Sequence, residues 1–299
     1  MKGVSPKLFP FKSYFETISG HKYHYIDEGT GEPVVMLHGN PTWSFYYREL
    51  IQKLSPYFRC LAPDHIGCGY SDKPGDAAYS YTLEQRVKDL EAFLLMKGIT
   101  QNIHLVMHDW GGIIGMSYAH RHPKSIKKLV ILNTAAFHIP DGKSFPVVLR
   151  LARTWMGAFM IRAFNAFSGL ATIEGVKRIK LSKDVRKGLT APYNSWKNRI
   201  ATLRFVQNVP LKRSDHGYEM ITELQEHLDQ FRSTPTLIAW GMKDYVFDHH
   251  FLSRWIHYLP NAVVHRFEDS GHYILEDQQE SIGKLVLVFF IDTNDKETR

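Results

Sequence analysis

Apolar residues along this chain fall into two alternating patterns. Unbroken runs, such as Pro33 to His38 and Ile103 to Met107, are the signature of strands buried on both faces. Between them lie stretches of helical period, clearest after Thr82, where Leu83, Val87, Leu90 and Leu94 form one stripe. Phe11 to Ile18 and His21 to Ile26 read as two strands around Ser19-Gly20. Phe58 to Pro63, Lys128 to Leu132, Pro235 to Gly241 and Ala262 to Phe267 read as further strands. Helices are expected over Thr42 to Leu54, from Thr82 to about Lys97, over Gly112 to His120 and from about Gln278 to Ile291. Strand alternating with helix predicts an α/β fold with a mostly parallel sheet covered on both faces.

The alternation breaks at about Phe137. No strand pattern appears from there to Arg213, and Pro146 to Phe167 reads as one or two amphipathic helices. The expected division is a core domain of residues 1–136 and 214–299, interrupted by a helical cap over residues 137–213.

Charge sharpens that division. Residues 138–213 hold fifteen Lys or Arg against three Asp or Glu, so the rest of a chain with net charge +7 is acidic on balance. A basic segment can address nucleic acid, an acidic membrane or an acidic partner, or simply be a solvated helical face. No nucleic-acid motif accompanies it, so no nucleic acid is expected. Only Cys60 and Cys68 are present, which excludes a disulfide framework and fits a reducing cytoplasm. Met1 to Lys12 lacks the apolar stretch of a signal peptide, and the run Leu285 to Ile291 is too short to span a bilayer.

The chemistry gathers at strand ends, where open α/β sheets bind ligands. Ile103 to Gly115 is an apolar strand, a sharp turn at Asp109 and a glycine-rich helix start, the layout of a nucleophile elbow. Alone, Asp109 reads equally as a helix N-cap. Two further groups shift that balance. Asp244 follows one strand in Gly241-Met242-Lys243-Asp244, and His272 follows the last in Ser270-Gly271-His272. Nucleophile, acid, histidine is the triad order of hydrolases built on such a sheet. A carboxylate at the elbow can attack carbon and form an ester, which a histidine-activated water can hydrolyse. Asn133 closes the strand before the insert but is an amide and cannot serve as the charged orienter. Asp248, Asp269 and Asp277 rank behind Asp244. His249-His250 and His120-Arg121-His122 read as solvated, with no ligand spacing beside them, and no metal or cofactor is expected.

His38-Gly39-Asn40-Pro41, Asp64-His65-Ile66-Gly67, His108-Asp109-Trp110-Gly111-Gly112 and Gly271-His272 together resemble the haloalkane dehalogenases of the α/β-hydrolase superfamily, over essentially the whole chain. The resemblance implies that Asp109 displaces halide from carbon. It implies that the Asn40 side-chain amide and the Trp110 indole hold the halide. The backbone N–H groups of Asn40 and Trp110 would form an oxyanion hole, with His272 and Asp244 driving ester hydrolysis. Epoxide hydrolases share His-Asp-Trp-Gly-Gly but differ at Met107 and Asn40, and they use cap tyrosines where this insert offers only Tyr193. Fluoroacetate dehalogenases place arginine where Trp110 stands. A nearer rival lies inside the family. His38 to Arg48 and Asn133 to Phe137 also resemble the branch containing β-lactone decarboxylases of long-chain olefin synthesis, which would use the same Asp109. Dehalogenation is placed slightly ahead, with the lactone reaction second and epoxide hydrolysis behind. The substrate is small and hydrophobic in each case, and the basic cap is suited to a membrane or a partner enzyme. The alternative without chemistry is a hydrophobic-ligand-binding module, against which Asp109, Asp244 and His272 all argue.

Overall fold

A computed structural model describes residues 3–291. One eight-stranded sheet organises them, built from β1 (Tyr14–Ile18), β2 (His21–Glu28), β3 (Pro33–Leu37), β4 (Arg59–Pro63), β5 (Ile103–Asp109), β6 (Ile126–Thr134), β7 (Thr236–Gly241) and β8 (Val263–Phe267). Their spatial order is β1-β2-β4-β3-β5-β6-β7-β8. The pairs β1/β2 and β2/β4 are antiparallel and every other pair is parallel.

Twelve α-helices accompany the sheet among the described residues: α1 (Arg48–Leu54), α2 (Leu83–Met96), α3 (Trp110–Arg121), α4 (Val147–Ala152), α5 (Trp155–Phe164), α6 (Ala166–Glu174), α7 (Lys183–Thr190), α8 (Ile200–Gln207), α9 (Tyr218–Glu226), α10 (His249–Tyr258), α11 (Ile274–Asp277) and α12 (Gln279–Ile291).

The unbroken apolar runs are explained by two cores, one on each face. Val35, Leu37, Leu105, Met107, Leu129 and Ile131 point into a core closed by α2, α3 and α10. Their neighbours Val34, Met36, Val106, Val130 and Leu132 point the other way, into a core closed by α1 and α12. Alternate residues of one strand thus serve opposite faces, which is why both registers are apolar through the strand centres. The buried pair Arg48–Glu276 ties α1 to α11 through bonds of 2.6 and 2.8 Å.

Two elements differ from expectation. The stretch Thr42 to Leu54 opens as a 3-10 turn over Ser44–Tyr47 before α1 begins. Phe45, Tyr46 and Tyr47 are all buried, so this turn has no solvent face to give it a helical period. The stretch Pro146 to Phe167 runs through three helices rather than one or two. Thr154 caps the start of α5 by accepting from Gly157 N–H (3.1 Å), and Asn165, at φ 55°, ends it in the left-handed region. The C-terminal helix runs over Gln279–Ile291 as expected, entered from the short helix α11.

Between β6 and β7 the described chain is helical, and α4, α5 and α6 leave many large apolar side chains in the open. No single helix among the described residues is long and apolar enough to cross a membrane.

Candidate active site

Asp109 sits at the tip of the β5–α3 turn with φ 52° and ψ −125°, a backbone state that few side-chain-bearing residues adopt. The turn is over-determined. The Thr134 hydroxyl donates to the Asp109 carbonyl. A Cβ on Gly39 would lie 2.0 Å from Asp109 Oδ1, and one on Gly111 would lie 1.9 Å from the Leu37 carbonyl. Only glycine lets these backbones approach. Asp109 makes no side-chain cap bond to α3, so the N-cap reading does not account for it.

The two carboxylate oxygens have different surroundings. Oδ1 accepts the Asn40 backbone N–H at 2.6 Å, and the Trp110 backbone N–H also supports the carboxylate. Oδ2 faces His272 Nε2 at 3.6 Å. Burial holds the Asp109 carboxyl above its ordinary pKa, against the opposing pull of His272 and the two N–H donors. One oxygen is therefore anchored by backbone N–H groups, and the other faces the imidazole without a backbone donor.

His272 Nδ1–H donates to Asp244 Oδ2 at 2.7 Å. This fixes the tautomer and aims the Nε2 lone pair at Asp109. Burial opposes the imidazolium, but the charge and hydrogen bond of Asp244, with Asp109 behind them, raise the His272 pKa above its ordinary value. Asp244 is itself saturated. Its Oδ1 accepts from Val246 N–H (2.8 Å) and Phe247 N–H (3.1 Å), and its Oδ2 also accepts from Asn133 Nδ2 (3.1 Å). The structure therefore brings the three side chains together, with His272 hydrogen-bonded to Asp244 on one side and facing Asp109 at 3.6 Å on the other.

Sequence reasoning gave no supporting role to several other residues of the site, although it had named Asn133 and Asp277. Asn133, dismissed as an acid, clamps Asp244 while its own Oδ1 accepts from Gly241 N–H (2.8 Å). His108 Nε2–H donates to the His272 carbonyl (2.9 Å), and burial keeps its imidazole far below the ordinary pKa and hence neutral. Phe247 stacks on the His272 ring with centroids 5.7 Å apart. Asp277 accepts from Gly271 N–H (2.8 Å), Lys177 N–H (2.9 Å) and Arg178 N–H (3.0 Å). His38, pushed down to about 4 by burial, accepts from His65 N–H (3.0 Å) and braces the loop that carries Asn40.

The two halide-binding candidates separate. Trp110 lines the cavity beside Phe205, and no hydrogen bond joins its indole N–H to another described residue. Asn40 is not among the lining residues, and its amide gives one of its two N–H groups to the Thr202 carbonyl (3.1 Å). The cavity is about 140 Å³ and mainly apolar, with Asp109 and Trp110 at its base and Phe137, Leu149 and Phe247 in its walls. Tyr193 lies outside it, with its hydroxyl donating to the Thr42 carbonyl (3.1 Å). The expectation that no ligand spacing accompanies His249-His250 needs correcting. Asp248, His249 and His250 bring ligand atoms within 4.8 Å of one another. The Asp248 carboxylate is nonetheless occupied by Lys143 Nζ (2.8 Å) and by His250 N–H (3.0 Å).

A family model for the α/β-hydrolase fold matches residues 32–279, and the chain belongs to that family. Within it, the chain is 52% identical to a cis-3-alkyl-4-alkyloxetan-2-one decarboxylase of Shewanella oneidensis, covering 98% of this chain and 92% of that one. It is 46% identical to the decarboxylase of the same name from Xanthomonas campestris pv. campestris, over 89% of this chain and 91% of that one. Among solved structures it resembles a haloalkane dehalogenase from Bradyrhizobium elkani, with a TM-score of 0.80, 26% identity, and 93% and 96% of the two chains covered. The relatives are enzymes, and this chain is an enzyme of the same fold.

Proposed function

We infer that this enzyme decarboxylates cis-3,4-dialkyl β-lactones to alkenes. The observation carrying this reading is near-full-length similarity to two decarboxylases named for such oxetanones, at 52% and 46% identity. The site geometry supports it. Asp109 Oδ2 attacks ring carbon C4, and the C4–O bond breaks to leave a carboxylate tethered through C3. The C3–carboxylate bond then breaks, its electron pair forms the C3=C4 double bond, and Asp109 departs as carboxylate. Carbon dioxide and alkene are released, and no water is consumed. Inversion at C4 followed by anti elimination turns a cis lactone into a cis alkene. The free indole N–H of Trp110 is placed to hold the ring oxygen as it becomes anionic. The apolar wall suits the alkyl chains. Both cysteines are buried free thiols, which supports a reducing cytoplasmic setting.

Haloalkane dehalogenation, put first on sequence, is the second reading. The dehalogenase structures and the pairing of Asn40 with Trp110 favour it. It would use the second N–H of the Asn40 amide, the first being given to the Thr202 carbonyl, to hold the leaving halide. Asn40→Ala should then lower halide release by on the order of tenfold or more, since removing one anion-stabilising donor can cost about 10²–10³-fold. Unchanged release would remove Asn40 from a halide site. Offering a cis-dialkyl β-lactone and a terminal haloalkane in parallel tests the first reading. We expect cis alkene from the lactone at the higher kcat/KM; halide release that outpaces alkene formation would reverse the assignment.

A further inference from the structure

The outer face of the cap combines features that a water-facing surface normally avoids. Trp155 is 84% exposed and Phe164 is 66% exposed, with Val147, Leu151, Met156 and Phe159 open beside them. These residues form one patch. The Phe159 ring lies 5.9 Å from Phe164 and 6.1 Å from Trp196. A Cβ on Gly157 of α5 would lie 2.1 Å from the Leu151 carbonyl of α4, so the two helices pack closely. Helix α6 leaves α5 at 82°, which spreads the apolar surface over two directions. Contiguous exposed apolar area of this kind marks an interaction site.

The patch is studded with cations. Arg150 stands between Val148 and Leu151, and Lys197 follows Trp196. Arg162 lies 4.8 Å over the Trp196 ring. Lys180, Lys183 and Lys187 continue along the same cap and are exposed. None of Arg150, Lys180, Lys183, Lys187 and Lys197 pairs with a carboxylate among the described residues. A second copy of this chain would bring cation against cation, so self-association is disfavoured. Exposed Trp, Phe and Leu interleaved with Arg and Lys match the interface of an anionic bilayer, where rings enter the acyl boundary and cations meet headgroup phosphates.

We propose that the α4–α6 face of the cap docks on anionic phospholipid bilayers. This surface also continues into the cavity: Leu149 of α4 lines it, while Val148 and Leu151 on the same helix face outward. Docking does not depend on which reaction Asp109 performs.

Vesicle co-sedimentation of the full chain tests the proposal. With phosphatidylglycerol vesicles at low ionic strength the protein should pellet, and with phosphatidylcholine vesicles binding should fall at least tenfold. Trp155→Asp with Phe164→Asp should weaken phosphatidylglycerol binding at least tenfold while circular dichroism and turnover of a short-chain, water-soluble substrate stay unchanged. Arg150→Glu with Lys197→Glu should do the same and flatten the salt dependence. Absence of binding to phosphatidylglycerol overturns the proposal. So does binding that survives loss of Trp155 and Phe164, because a purely electrostatic patch fits an acidic protein instead. A lipid-free oligomer that dissociates when those two residues are replaced would make the patch a self-interface and overturn it equally.

Discussion

Asp109→Asn should lower kcat/KM by roughly 10⁴-fold or more for lactone and haloalkane alike, the scale on which removing a nucleophile acts. The substitution changes little else. An asparagine carbonyl can still accept the Asn40 N–H that now reaches Oδ1 at 2.6 Å. The new NH₂ would face His272 Nε2, which is 3.6 Å from Oδ2 in the native site. Burial already penalises the ionised carboxylate, so losing the charge should leave the melting temperature equal or higher. Product assays beside a thermal melt separate the two effects. Retention of more than a tenth of the activity would place the nucleophile elsewhere.

His272→Ala should divide the two chemistries. Hydrolysis of an alkyl ester on Asp109 needs a water deprotonated by His272, so a haloalkane should give one equivalent of halide and then stop. Intact-protein mass spectrometry should find the alkyl adduct on the peptide holding Asp109. Decarboxylative fragmentation needs no water, and alkene should continue to form from the lactone. The wild-type pH profiles should separate in the same sense. Asp109 must be ionised for either reaction, and its pKa is raised, so both fail as pH falls through a value above 3.8. Hydrolysis also requires neutral His272, whose pKa is raised as well, so halide release is further lost as pH falls through a value above 6.5. Alkene formation should lack that second limb. Alkene production that collapses with His272→Ala, or that shows the histidine limb, would make water activation part of the lactone reaction.

Much of this arrangement was legible in the chain because it is local. The apolar runs of β3 and β5 announce strands buried on both faces, and the elbow at Asp109 is contained in a dozen consecutive residues. Asp244 and His272 could be placed because each follows a strand. What was not legible depends on contacts across long stretches of chain. Asn133 meets Asp244 from 111 residues away, and no periodicity encodes that. The dismissal of Asn133 as an acid was sound chemistry; its use as a clamp is a property of neighbouring strands. The Asn40 amide was assigned from the loop motif, but its partner, the Thr202 carbonyl, lies 162 residues further on. The breaks inside Pro146 to Phe167 were different, since Thr154 and Asn165 are local stop signals that the dense apolar pattern obscured.

The bonds around His272 also limit how this enzyme can admit its substrate. Gly271 N–H is held by Asp277, whose carboxylate also holds the backbone of Lys177, Arg178 and Ile179, and Tyr273 N–H donates to the Gly175 carbonyl (2.7 Å). The residues on either side of the histidine are thus bolted to residues 175–179. This edge works as a hinge pin: lifting it would release His272 from Asp244. Leu149, which also borders the cavity, has no tie to this loop, so a guest entering past it would leave the His272–Asp244 bond in place.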